Sequence, residues 1–120
     1  MSRVIEGDTV QKDYYPVVSI REIGNFVKGK VIAKHTTNAG NPAIDMELID
    51  LEGSTSKSVS KGVYKEVEVK VGDPVTLIGT TKQLKDKLPK LMVSDVVTVT
   101  FKSTLKVNKG TMKVFEVLVD

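Results

Sequence analysis

The sequence predicts an all-β domain with one short helix, and three observations lead to this prediction. Apolar and polar residues alternate with a period of two in several separate segments, as in strands that are buried on one face. Glycine, proline, asparagine and aspartate lie between these segments, where turns are expected. Only residues 81–88 show the apolar spacing of a helix. With 120 residues, the chain is long enough for one domain with a single core.

Three strand regions are predicted in the middle of the chain: residues 26–37, residues 43–50, and residues 63–71 continued by residues 75–79. The first is interrupted by Gly29, and a glycine in a strand lets it bend at the corner of a barrel. In the second, Ile44, Met46 and Leu48 fall on one side, so this strand is expected to be half buried. The Ser/Lys-rich residues 54–62 are polar enough to predict a mobile loop.

The last quarter of the chain predicts a β-hairpin with a basic tip. The apolar face of the two arms comprises Val97, Val99, Phe101, Phe115, Val117 and Val119. We expect Phe101 and Phe115 to be core residues, and Gly110 to take the positive φ that a hairpin loop often needs. Lysines at or near the tip, with no acidic residue between positions 102 and 113, point to a polyanionic partner.

The predicted helix places Leu84 and Leu88 on one stripe, with Thr80 or Thr81 as its N-cap and Pro89 ending it. It lies between the third strand region and the final hairpin, which makes the order β-β-β-α-β-β. This is the order of the five-stranded OB-fold barrel, which we predict for residues 25–120. Residues 1–24 are predicted to be an N-terminal extension, or an extra strand packed on the barrel.

The composition restricts the class of protein. The chain has no cysteine, which excludes disulfides and thiolate metal sites. It has no apolar run near the roughly 20 residues of a membrane span, and its start lacks a signal-peptide pattern, so we expect a cytoplasmic protein. The net charge is +3, but 16 of the 18 basic residues are lysines. Lysine binds phosphate as a point charge and does not read bases, so any nucleic-acid binding should be largely sequence-neutral.

The sequence offers no convincing active site. Gly24, Gly29 and Lys30 match the spacing of a P-loop, but Val31 stands where a hydroxyl should bind magnesium and a strand follows where a helix is needed. His35 is the sole histidine. Asp45 and Glu47 could share one face of a strand as paired carboxylates, but alternating charge on an exposed strand face needs no catalytic role to explain it. We therefore expect a protein that is not an enzyme and has no cofactor or metal.

The chain resembles single-stranded-DNA-binding proteins of the OB-fold type from phages, most closely those of lactococcal bacteriophages. The residues that carry the resemblance are the segments 29–31, 96–101, 108–111 and 114–117. The resemblance spans residues 25–120 and implies a protein that coats exposed strands during phage DNA replication or recombination, as a homodimer or larger homo-oligomer. Bacterial relatives end in an acidic tail that recruits partners, whereas residues 116–120 look like strand, so recruitment by such a tail is not expected.

The predicted partner is single-stranded DNA. We expect lysines to contact phosphates, Tyr64 to stack on bases and His35 to line the groove. Asp45 and Glu47 would repel phosphate from the second strand, which shifts the expected site to the loop after the first strand, the third strand and the last hairpin. The predicted nucleic-acid-binding residues are Lys30, Lys34, His35, Tyr64, Lys65, Lys102, Lys106, Lys109 and Lys113. The alternatives are a structural or protein-interaction β-barrel of a phage particle, and a protein that binds duplex DNA or RNA.

Overall fold

The computed structural model describes residues 15–60 and 63–120, apart from the side chains of Val59 and Ser60. The described residues form eight strands: β1 (Val17–Ser19), β2 (Phe26–Thr36), β3 (Pro42–Glu52), β4 (Ser54–Ser60), β5 (Val63–Glu66), β6 (Pro74–Ile78), β7 (Val96–Val107) and β8 (Gly110–Val119). One helix, α1 (Lys82–Lys87), continues into a 3-10 turn (Leu88–Lys90). Most of the predicted N-terminal extension, up to residue 14, lies outside the described residues.

All eight strands belong to one sheet in the order β5-β4-β1-β6-β3-β2-β7-β8. Every neighbouring pair is antiparallel except β1 with β6, which is parallel. The prediction of a mainly β protein with one short helix is confirmed. The prediction of a five-stranded OB barrel is wrong, because the described sheet has eight strands and does not close on itself.

The short strand β1 explains why the sheet stays open. It pairs with β6 through Val17 opposite Thr76, and the N–H of Thr76 donates to the carbonyl of Pro16 at 2.9 Å. The other side of β6 pairs with β3, so both edges of β6 are occupied. A barrel built from five strands would have to use one of those edges for closure. The edge of β8 therefore has no strand partner in the described sheet.

A second correction concerns residues 54–62, for which the sequence predicts a mobile loop. Ser54–Ser60 is instead strand β4, held between β1 and β5. Thr55 is buried, and its hydroxyl donates to the carbonyl of Val67 at 2.6 Å. The predicted third strand is correspondingly shorter, since β5 ends at Glu66. Neighbouring strands supply the hydrogen bonds here, and this tertiary pairing outweighs the weak strand propensity of a Ser/Lys-rich segment.

The core lies between the helical segment and one face of the sheet; we call this buried face the concave face and the opposite face the convex face. Its buried residues are Val18, Ile20, Val27, Val31, Ile44, Met46, Leu48, Val75, Leu77, Leu84, Leu88, Leu91, Val97, Val99, Phe101 and Phe115. Phe101 and Phe115 are each 3% exposed, which confirms the prediction that both are core residues, and their rings stack with centroids 5.1 Å apart. The helix is capped by the hydroxyl of Thr81, which accepts from the N–H of Leu84, and Pro89 lies in the 3-10 turn that follows.

Gly29 lies where the backbones of β2 and β3 approach each other closely. A Cβ atom at this position would lie 2.7 Å from the Sδ of Met46 and 2.9 Å from the carbonyl oxygen of Glu47. The Met46 side chain is fully buried, and the Glu47 carbonyl belongs to the strand backbone, so neither moves freely. The glycine is therefore required by close backbone approach beside a register shift of the β2–β3 pair.

We predict that Gly29→Ala lowers the free energy of unfolding by about 1–3 kcal/mol, because the added methyl group overpacks a filled core. Urea denaturation followed by circular dichroism measures this change. Lys30→Ala, at the next and exposed position, is the control and should change stability by no more than about 0.5 kcal/mol. A Gly29→Ala variant as stable as the wild type would show that β3 can retreat from the methyl group.

Candidate nucleic-acid interface

A two-stranded basic arm extends from the sheet. It consists of residues 102–113, namely the distal half of β7, the turn and the start of β8. Every residue from 102 to 111 is exposed, whereas the proximal part of β7 alternates with buried core positions. The arm carries four lysines and no acidic residue. Gly110, the first residue of β8 after the turn at residues 108–109, has a φ of +139°, which confirms the prediction of a positive φ there.

A β-bulge at the base of the arm decides which way its side chains point. The register shifts between Phe101 and Ser103, so Lys102 has no residue directly opposite it. Lys102 turns to the convex side of the sheet, where its Nζ lies 3.8 Å from Glu116 Oε1. Both side chains of this ion pair are about half exposed, so it contributes little to stability. Lys102 therefore lies on the other side of the ribbon from Lys113.

Beyond the bulge, the register places Lys106 opposite Thr111 and Thr104 opposite Lys113. Residues opposite each other in a pair share a face, so these four side chains lie on one face of the arm. That face continues the concave face of the sheet. Lys106 and Lys113 are diagonal neighbours on it, with Cα atoms roughly 7–8 Å apart. Lys109 lies in the turn at the tip, so three of the predicted phosphate contacts are brought together.

Lys113 is held at the foot of the arm. Its Nζ lies 5.7 Å from the centroid of the Phe101 ring, and Phe101 in turn stacks on Phe115. A cation over an aromatic face is attracted by the ring electrons, although this attraction is modest at an exposed site. Lys113 therefore has an aromatic partner at the base of the arm, and it forms no ion pair with another described residue.

Lys34 and His35 lie at the far end of β2, where each has a structural partner. Lys34 Nζ donates to the carbonyl of Pro89 at 2.8 Å and so ties β2 to the 3-10 turn. His35 Nε2 lies 2.9 Å from Asp45 Oδ1, which also accepts from the hydroxyl of Thr76 at 2.6 Å. These contacts link β2, β3 and β6. The structure does not bring Lys34 and His35 to the lysines of the arm.

Lys30 points to the convex side of β2, where the register places it between Glu47 on β3 and Val96 on β7. Val96 is the first residue of β7, at the opposite end of that strand from the arm. The carboxylate directly opposite also reduces the attraction of Lys30 for phosphate. Lys30 therefore lies away from the arm, and the neighbouring carboxylate makes it a weaker site for phosphate than the lysines of the arm.

Tyr64 and Lys65 lie on β5, the edge strand at the other end of the strand order from β8. The side chain of Tyr64 is 64% exposed, which leaves its ring free to stack on a base. The register places Lys65 directly opposite Lys57 of β4. Neither lysine forms an ion pair with another described residue, so two like charges face each other across the hairpin. An anion bound by both would relieve their repulsion.

Two basic residues near the predicted site were missed by the sequence reasoning. Lys57 lies in the segment for which the sequence predicts a loop, although serines at positions 54, 56, 58 and 60 already give it the period of two of a strand. Arg21 follows β1 and lines the same cleft as Lys113. No sequence signal could have identified Arg21, because its approach to β8 depends on the parallel pairing of β1 with β6.

Within residues 15–60 and 63–120, no helix is long and apolar enough to cross a membrane, and no group of His, Cys, Asp or Glu could hold a metal ion. Comparisons with protein-family models, curated proteins and solved structures gave no match. The function of the chain is therefore proposed from its residues and their geometry.

The Lys57–Lys65 pair yields a prediction about stability. Lys65→Glu turns a repulsive cross-strand pair into an attractive one and should raise the free energy of unfolding by about 0.5–1 kcal/mol at low salt. The gain should shrink at 1 M salt, where charges are screened beyond about 3 Å. Thermal or urea denaturation at the two salt concentrations measures it. Lys65→Gln is the control, and it should give about half of this gain in stability because it removes the repulsion without adding an attraction. A Lys65→Glu variant that is less stable than Lys65→Gln would contradict the placement of Lys65 opposite Lys57.

Proposed function

We propose that this protein binds single-stranded DNA without strong sequence preference and is not an enzyme. The observation that carries the proposal is the projecting arm, which presents Lys106, Lys109 and Lys113 with no carboxylate among residues 102–113. Lysines on a ribbon that stands clear of the core can follow a flexible phosphate backbone. Each phosphate that a lysine neutralises releases condensed counterions, and this release drives sequence-neutral binding.

The other face of the arm supports a single strand as the partner. Leu105 and Val107 are about half exposed there, and Met112 lies opposite Leu105 in the register. Unpaired bases have apolar faces that can contact such side chains, whereas the bases of a duplex are stacked on each other. Tyr64 offers a further stacking surface. The helix α1 is unsuited to a major groove, because it has only six residues and packs against β8 through Gln83 and Lys87.

Duplex DNA is a second candidate, because a two-stranded ribbon is one of the elements that fits a major groove. The basic arm has that form. The scarcity of arginine argues against base reading by the arm, since arginine is the usual partner of guanine edges. The resemblance of residues 25–120 to phage single-stranded-DNA-binding proteins also favours the single strand. With that resemblance, the proposed role is the coating of exposed strands in phage DNA replication or recombination, in the cytoplasm of the host.

The proposal is tested by fluorescence-anisotropy titration of a labelled single-stranded oligonucleotide and its duplex over a salt series. We expect tighter binding to the single strand. Replacing Lys106, Lys109 and Lys113 with Ala should weaken binding at low salt and flatten the slope of log affinity against log salt by roughly 2, since each phosphate contact contributes about 0.7. Poly-dT and mixed sequences should be affected alike.

A matched control removes the same charge elsewhere. Lys70, Lys85 and Lys90 are exposed and lie outside the arm, so their triple replacement with Ala should leave the salt slope nearly unchanged. Tyr64→Ala should lower affinity by about 1–3 kcal/mol with little change in slope, because stacking releases no ions. Equal or tighter binding to the duplex would favour the second candidate. A folded arm variant that keeps both affinity and slope would reject the arm as the site.

We further propose that the protein is a homodimer or larger homo-oligomer. Leu118 and Val119 of the edge strand β8 are each about half exposed, and Val114 lies on the same convex face as Leu118. Apolar side chains on an edge strand are commonly covered by a partner. Multi-angle light scattering at micromolar concentration should give a multiple of 13.1 kDa, and Leu118→Lys should shift it toward the monomer. A monomer mass for the wild type would reject this proposal.

A further inference from the structure

The gap where the sheet fails to close forms a cleft. It lies between β1 and β8, with the start of the helical segment at its base, and has a volume of about 290 Å³. We call it the seam cleft. It is lined by Val17, Val18, Ser19, Ile20, Arg21, Leu77, Ile78, Thr80, Thr81, Leu84, Lys113 and Phe115. None of these twelve residues is acidic.

The floor and the rim of the seam cleft differ in chemistry. The floor is apolar: Leu77, Leu84 and Phe115 are each no more than 3% exposed, and the half-buried Val17 and Ile78 beside them provide its accessible apolar surface. The rim carries the exposed side chains of Arg21 and Lys113. A concave apolar site with a few polar groups at its mouth is the usual form of a small-ligand site. The complementary ligand has an apolar part of limited size and a negative charge beside it.

We propose that the seam cleft takes one nucleotide of the bound strand, with the base against the apolar floor and its phosphate between Arg21 and Lys113. This inference rests on the proposed function and adds a defined subsite to it. Lys113 belongs both to the rim of the cleft and to the lysine face of the arm. A DNA strand that lies on the lysine face of the arm therefore reaches the cleft at Lys113. The volume of about 290 Å³ lies just below the range of about 300–1,000 Å³ for sites of drug-sized ligands, so the cleft has room for no more than one nucleotide.

Arg21 and Lys113 would bind the phosphate in different ways. Arg21 has a planar guanidinium that binds two phosphate oxygens at once, and it forms no ion pair with another described residue. Lys113 is positioned over the Phe101 ring and adds a point charge. The side-chain polar groups available to a base are the hydroxyls of Ser19, Thr80 and Thr81, and that of Thr81 already caps α1. A site with so few directional groups accepts any of the four bases.

The test compares two probes of equal length: dT15, and a fifteen-residue oligonucleotide of abasic sites with the same phosphates. Thr80→Phe places a bulky ring at the exposed rim and should fill the cleft without changing charge. We expect it to weaken dT15 binding roughly 5- to 150-fold, the range for one stacked base, while abasic binding stays unchanged. Arg21→Ala should weaken binding of both probes and flatten the salt slope by about 0.7, and Arg21→Lys should restore the slope.

A second measurement does not depend on any variant folding correctly. In an amide NMR titration of the wild-type protein with dT15, signals of Leu77, Thr80 and Leu84 should shift together with those of the arm. Shifts confined to residues 102–113 would overturn the subsite and leave the arm as the DNA contact. A wild-type protein that binds neither probe would instead overturn the proposed function and the subsite with it.

Discussion

The parallel pairing of β1 with β6 is the constraint on which the rest of the structure depends. Only three residues long, β1 occupies the one edge of β6 that closure of the sheet would have used. Its other side pairs with β4, which brings the β4–β5 hairpin into the same sheet. An eight-stranded open sheet follows from this single insertion. The cleft between β1 and β8, the free edge of β8 and the exposed position of Tyr64 on β5 all depend on it.

An open sheet has edges, and the short helix α1 covers the edge strand β8 at Phe115. Gln83 Oε1 accepts from the N–H of Phe115 at 2.8 Å, and Lys87 Nζ donates to the carbonyl of the same residue at 2.8 Å. These two side chains satisfy the backbone groups that another strand would need for pairing. Leu84 and Leu88 meanwhile close the core beneath β8. The helix thus protects the middle of the edge strand and leaves the arm beyond it free.

The two faces of the sheet differ in the charges that they carry. The convex side mixes signs, with Glu47 opposite Lys30, Glu116 near Lys102 and Asp120 near Lys28. The continuation of the concave side along the arm carries Lys106 and Lys113 without any carboxylate. The bulge at Lys102 produces this separation, since it shifts the alternation by one residue where the arm leaves the core. A polyanion is therefore attracted to one face of the arm and to the cleft at its foot.

The sequence by itself determined the mainly β class, the single capped helix, the buried faces around Met46 and Phe101, and the basic hairpin with its Gly110 turn. Each of these follows from local alternation, capping or turn chemistry, which act between residues close in the chain. Only the tertiary structure decided that β1 enters the sheet beside β6, that residues 54–60 pair as a strand, and that the sheet stays open. Strand pairing joins residues far apart in sequence, and backbone hydrogen bonds carry no pattern that identifies the partner strand. For the same reason the hairpin lysines could be predicted, whereas the meeting of Arg21 with Lys113 could not.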